Sequence, residues 1–222
     1  KISPTLTEVK EIAKTGKYDI LPVSCEILSD FITPIEAMRI LQNVSTHCYL
    51  LESAQANEAW GRYTFLGYDP KLEINCIDGH MKLGKLSVET ENPSEYIRQI
   101  LSEYKSPKFD YLPSFTGGLV GYFSYDYLGY KEKSIRGKAR DTEDFKDVDL
   151  MLFDKVIAFD NLCQKIILIA NMSLDAPETG YNKAIVELKQ LRELLMHGEK
   201  KQNMGGKLLG EVTPLFEKEQ YC

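Results

Sequence analysis

The apolar residues of this chain keep two different periods, and they keep them in separate blocks. Some stretches repeat every three or four residues, as one face of a helix requires, and others alternate, as a half-buried strand requires. Ile35, Met38, Leu41 and Val44 recur every three residues, a stripe that drifts around its helix. Tyr96, Ile97, Ile100, Leu101 and Tyr104 fall on one side of a second helix. A third runs through Tyr181, Ala184, Ile185, Leu188, Leu191 and Leu195 to a stop at Gly198. A short fourth covers Leu6, Val9, Ile12 and Ala13 and ends at Gly16.

Three of the helices share a start signal. Thr33-Pro34-Ile35-Glu36, Asn92-Pro93-Ser94-Glu95 and Asp175-Ala176-Pro177-Glu178 each set a capping side chain three residues before a glutamate. The cap oxygen accepts a first-turn N–H and the glutamate reaches back to the cap. Between the helices, Leu72, Ile74 and Cys76 alternate with polar residues before Asp78-Gly79, a two-residue hairpin turn into His80–Leu83. Val156–Phe159 and Leu162–Ala170 flank Asp160-Asn161, a second hairpin. Cys48–Leu51 and Gly118–Phe123 read as more fully buried strands. Helices and hairpins in blocks predict an α+β fold, a largely antiparallel sheet with helices outside, rather than parallel βαβ units.

The chain has 27 Lys and Arg against 33 Asp and Glu, a net charge of -6. That balance disfavours nucleic acid and anionic membrane as partners. No apolar run approaches the ~20 residues of a membrane helix, and no apolar segment follows Lys1-Ile2-Ser3-Pro4 as in a secretory signal. Five scattered cysteines without a CxxC fit a reducing cytoplasm better than a disulfide framework. His47, His80 and His197 form no metal-ligand spacing.

Segments 131–147 and 199–212 are polar or glycine-rich and read as mobile loops. Thr213-Pro214 begins a helix that would stop within two turns at Cys222, too short to stand alone. The expectation is a fragment of a longer protein, with a domain over 1–198 and a linker and truncated start of a further half over 199–222.

Gly117-Gly118-Leu119-Val120-Gly121 lacks the lysine of a P-loop and the full GxGxxG, so close packing or a bulge explains its glycines. No G-x-S-x-G elbow surrounds Ser53, Ser114 or Ser124. Asp141, Glu143, Asp144, Asp147 and Asp149 lack EF-hand spacing and read as a solvated acidic loop. The corner Leu50-Leu51-Glu52-Ser53 carries more. A buried strand ends there in a carboxylate and a hydroxyl, and Arg62 follows a short loop holding Trp60 and Gly61. Such a corner suits a zwitterion: Glu52 opposite an ammonium, Ser53 and Arg62 opposite a carboxylate, with an apolar wall for a side chain. A plain Glu52–Arg62 salt bridge with a turn serine is the other reading.

Leu50–Ser53, then Gly61–Pro70 (GRYTFLGYDP), Gly117–Tyr130 (GGLVGYFSYDYLGY) and Asp149–Asp154 (DLMLFD) form an ordered series. That series resembles the N-terminal region of anthranilate synthase component I, the large subunit. The related aminodeoxychorismate synthase component I shares the glycine-rich strand but is less like the GRYTFLGYDP and LLES stretches. A stand-alone amino-acid-binding module and a self-contained enzyme are the remaining readings.

The resemblance implies an enzyme that makes anthranilate and pyruvate from chorismate, using Mg2+ and ammonia from a glutamine amidotransferase component. L-tryptophan inhibits that enzyme. Its chorismate and Mg2+ residues lie in a C-terminal catalytic half outside this chain, so no catalytic residue carries over, and this fragment alone is expected to be inactive. Part of the inhibitor site does carry over: the family's LLES serine matches Ser53, with Glu52 and Leu51 beside it, and Arg62 stands near a basic position of that site. A Pro-Tyr-Met segment of the pocket lies beyond residue 222. The family packs two sheets face to face, so this half is expected to expose an apolar sheet face, and either to self-associate through it or to be marginally stable.

Overall fold

The computed structural model describes residues 1–53, 61–132, 134, 145–202, 205–211, 213 and 219. Among them the strands are β1 (Ile2–Ser3), β2 (Ile20–Leu28), β3 (Cys48–Leu51), β4 (Tyr63–Tyr68), β5 (Leu72–Ile77), β6 (His80–Leu83), β7 (Leu86–Glu89), β8 (Gly118–Phe123), β9 (Val148–Phe153), β10 (Lys155–Asp160) and β11 (Lys165–Ser173). The helices are α1 (Leu6–Lys14), α2 (Pro34–Val44), α3 (Pro93–Ser102) and α4 (Pro177–His197), with a 3-10 turn over Tyr125–Tyr130.

Two antiparallel sheets result, one ordered β1-β2-β11-β10-β4-β3 and the other β7-β6-β5-β9-β8. This is the expected α+β class. The sheets share a single ribbon. β4 pairs with β10 in the first sheet, and their continuations β5 and β9 pair in the second. Only Asp69-Pro70-Lys71 separates β4 from β5, and only Asp154 separates β9 from β10. The Lys71 N–H donates to Leu152 O at 2.7 Å, which keeps the ladder going across the seam.

Helices cover one face of the six-stranded sheet. α4 buries Tyr181, Ala184, Leu188, Leu191 and Leu195, which meet Leu21, Val23, Ile166 and Leu168 of β2 and β11. Each such large side chain contributes about 1.5–3 kcal/mol by leaving water. The opposite face carries Val156, Ala158, Ile167 and Ile169, closed by Leu112 with Phe109 and Phe115. The expected bare face is therefore not found on this sheet: its central strands are covered on both sides, which explains their nearly unbroken apolar runs. Exposed apolar residues gather instead at the β8 end, at Tyr122, Phe123, Tyr125 and Leu128.

The helices fall where the capping signals place them, with three differences. Thr33 and Glu36 form a reciprocal capping box, and so do Thr5 and Glu8, a T-x-x-E spacing not singled out above. Asn92 makes no cap bond, its side-chain amide donating to Glu95 Oε1 instead, and Ala176 rather than Asp175 occupies the third cap position. On α2 the buried residues are Ala37, Ile40 and Leu41, while Ile35 and Val44 face water. A three-residue repeat falls about 60° short of a full turn at each step, so its ends leave the core face.

Asp78 and Gly79, both at positive φ, make the predicted hairpin between Ile77 and His80. The second hairpin pairs Asp160 with Lys165 and therefore has four loop residues. Gly121 pairs with Leu150, and a Cβ there would lie 2.0 Å from Asp149 O, the close packing expected of that segment. Residues 199–201 are not loose. Arg39 Nε donates to Lys201 O at 3.0 Å and Asn43 Nδ2 to Glu199 O at 2.7 Å, which lays them along α2. Most of the remaining segments read as loops or as a short helix, 135–144 and 214–218 among them, lie outside the described residues.

Candidate functional site

The corner is built by register. Leu51, the last residue of β3, pairs with Phe65 of β4, so Glu52 and Ser53 run on beside Thr64 and Tyr63. Leu51, Glu52 and Ser53 are exposed, and residues 54–60, with Trp60, lie outside the described residues. Thr64 is wholly buried, and its hydroxyl donates to Glu52 Oε1 at 3.5 Å. Asn161 Nδ2 donates to the same hydroxyl at 3.3 Å, and the Asn161 N–H to Arg62 O at 2.9 Å.

Arg62 does not meet Glu52. Its Nε donates to Asp160 Oδ1 at 3.1 Å and its Nη2 to Oδ2 at 2.7 Å, a bidentate pair. The Asp160 side chain is 0% exposed and that of Arg62 is 36% exposed. Asp160 Oδ1 also accepts from the N–H groups of Leu162 and Cys163, at 3.2 and 3.0 Å, so one carboxylate closes the β10–β11 loop and holds the guanidinium. Burial pushes the Asp160 carboxyl up, yet Arg62 first, and then the Cys163 N–H, pull it below the ordinary aspartate range. The hydrogen bond to Asp160 raises Arg62 correspondingly. Arg62 also lies over the Tyr63 ring, 4.9 Å from its centroid.

The structure thus brings Leu51, Glu52, Ser53 and Arg62 to one end of β3 and β4, and corrects the salt-bridge reading: the carboxylate opposite Arg62 is Asp160. Its charge is already matched, so Arg62 offers a further anion chiefly its Nη1 edge. Asp160, Thr64 and Asn161 were missed as site residues. Asp160-Asn161 read as a turn, and no local signal joins it to Arg62.

Asp147, read as part of a solvated loop, is instead an anchor. It accepts from Tyr130 Oη at 2.7 Å and from the Asp78 N–H at 2.8 Å. Among the described residues no group of three or more His, Cys, Asp or Glu stands together to hold a metal ion. No described helix is long and apolar enough to cross a membrane.

The family model for chorismate binding enzymes matches residues 46–222. The chain belongs to that family of chorismate-utilising enzymes. Within it, the chain is similar to anthranilate synthase component 1 of Acetivibrio thermocellus, 31% identical over 99% of this chain and 46% of that protein. It is 36% identical to anthranilate synthase component 1 of Pseudomonas aeruginosa, over 85% of this chain and 39% of the relative. A crystal structure of anthranilate synthase component I from Streptococcus pneumoniae TIGR4 is similar at a TM-score of 0.49 and 25% identity, covering 75% of this chain and 36% of that one. The chain spans less than half the length of these relatives.

Proposed function

We propose that this chain is the tryptophan-receiving, amino-terminal part of an anthranilate synthase component I. In this reading residues 1–198 form the regulatory domain and 199–222 lead into a catalytic half. The whole enzyme, a cytoplasmic lyase, makes anthranilate and pyruvate from chorismate, with ammonia from a glutamine amidotransferase partner and Mg2+ held by the catalytic half. The chain alone is inactive. What carries the reading is the placing of Glu52 and Ser53 at a strand end beside an anchored arginine, in a chain similar over 99% of its length to an anthranilate synthase component 1.

At the corner, Glu52 opposes the ammonium of tryptophan, while Ser53 and the Nη1 edge of Arg62 receive its carboxylate and Leu51 borders the ring. With Arg62 already paired, Glu52 and Ser53 supply most of the discrimination. Inhibition follows if the inhibitor binds the less active state more tightly than the active one. Calorimetry of L-tryptophan against the intact protein and against residues 1–222 tests this. Saturable binding to the intact protein is expected, and binding to it alone shows that the other half completes the pocket. Absence of binding to the intact protein refutes the reading.

A further inference from the structure

A partly open hollow of about 130 Å³ lies at the seam between the sheets, away from the proposed tryptophan corner. Its walls include Ile20, Leu101, Leu152 and Phe153, with Lys71, Asn171 and Ser106 among its polar groups. Lys71 has no carboxylate within ion-pair distance among the described residues; its Nζ stands 5.5 Å from the centroid of the Tyr104 ring, which also lines the hollow. An ammonium on an aromatic face keeps its charge available to an anion.

Asn171 is fixed in place. Its Nδ2 donates to Thr116 O at 2.6 Å and to Asp154 O at 3.0 Å, and its backbone N–H to Asp154 O at 2.9 Å. Both amide hydrogens are spent on carbonyls, so Asn171 offers a carboxylate no donor and the charge recognition falls to Lys71. Gly117 makes room for this: at φ 145°, a Cβ there would lie 2.6 Å from Asn171 Nδ2. Asp154 also lines the hollow, and its carboxylate turns to Lys155 at 4.0 Å.

We propose that this hollow binds a small apolar monocarboxylate, its carboxylate on Lys71 and its body against Leu101, Leu152 and Phe153. An apolar wall with a few fixed polar groups is the usual form of a small-molecule site. Size sets the scale: a cavity of about 150 Å³ takes up benzene, so the hollow seats a body of about one six-membered ring. None of Leu51, Glu52, Ser53 and Arg62 lines it, so the site is distinct from the proposed tryptophan corner.

Fluorine NMR titration of 4-fluorobenzoate against the intact protein, with 4-fluorobenzamide as the uncharged analogue, tests this. Saturable benzoate binding is expected, weakened about tenfold or more by Lys71→Met, as for loss of a charged hydrogen-bond partner, and abolished by Leu101→Trp. The benzamide binds at least about tenfold more weakly. Lys71→Met removes only a side-chain charge, so it reports even if Leu101→Trp disturbs folding. No saturable benzoate binding, equal affinity in wild type and Lys71→Met, or equal affinity for the benzamide overturns the proposal.

Discussion

Arg62 and Asp160, 98 residues apart in sequence, meet through two hydrogen bonds of 3.1 and 2.7 Å at the tip of the β4–β10 ribbon. The carboxylate is fully buried and the guanidinium is partly in water. Removing the arginine therefore leaves a buried charge held only by the Leu162 and Cys163 N–H groups and the Cys163 thiol. Arg62→Met is expected to cost about 2–3 kcal/mol, below the value for a fully buried pair because water reaches the arginine. Urea denaturation checks it.

The same pair sets a pH signature. Asp160 is depressed in the folded chain, so the stability it contributes is present above the unfolded value near ~4 and is lost as pH falls through the folded value. In Arg62→Met burial dominates and the carboxyl rises above its unfolded value, so the penalty is full at neutral pH and relieved on acidification. The gap between wild type and variant is expected to narrow from pH 7 to pH 3 in urea midpoints. A gap that stays constant contradicts this.

If the proposed function holds, Ser53→Phe in the whole enzyme is expected to fill the corner and relieve tryptophan inhibition while leaving uninhibited turnover largely intact. Anthranilate formation against tryptophan concentration reads this directly. Equal sensitivity of variant and wild type removes Ser53 from the inhibitor site.

Tyr49 is 8% exposed, and its buried hydroxyl has no hydrogen-bond partner among the described residues. Its ring packs edge-on against Phe153, centroids 4.8 Å apart, and fills the space left by Gly67, where a Cβ would lie 2.2 Å from Tyr49 Cε1. Tyr49→Phe keeps that packing and deletes an unpaired polar atom, so it is expected to stabilise the fold by about 1 kcal/mol. A lower thermal midpoint in the variant would contradict the assignment.

β8 is the last strand of its sheet and carries exposed Tyr122 and Phe123, followed by Tyr125, which is 87% exposed. An apolar edge of this kind recruits another strand or surface. Residues 1–222 by themselves are expected to self-associate, and Phe123→Lys with Tyr125→Lys to restore monomers in sedimentation. A monomeric wild-type fragment would argue against this edge.

Local chemistry made most of the helices legible. Thr33 and Glu36 announce α2, and the apolar side of α4 follows from Tyr181 to Leu195. The buried side of α2 was misread because a three-residue repeat drifts, and Ala37 gives little hydrophobic signal although it is wholly buried. β2 and β7 went unread: β2 does not alternate strictly, and β7 alternates over four residues only and depends on the two-residue turn at Gly84-Lys85. At the corner, Leu51, Glu52, Ser53 and Arg62 were visible as residues. The partner of Arg62 was not, since a contact across 98 residues leaves no spacing to read.

The ribbon common to both sheets has a mechanical consequence. Two covalent strands, not a soft linker, run from the Arg62–Asp160 clasp through the seam to Cys76 and Val148. Turning one layer against the other must be absorbed by the backbone torsions of Asp69, Pro70, Lys71 and Asp154. Proline has already surrendered one of those torsions, and Lys155 ties Asp69 at 3.0 Å. With so few joints to yield, a twist applied at the clasp travels down the pair as along a torsion bar.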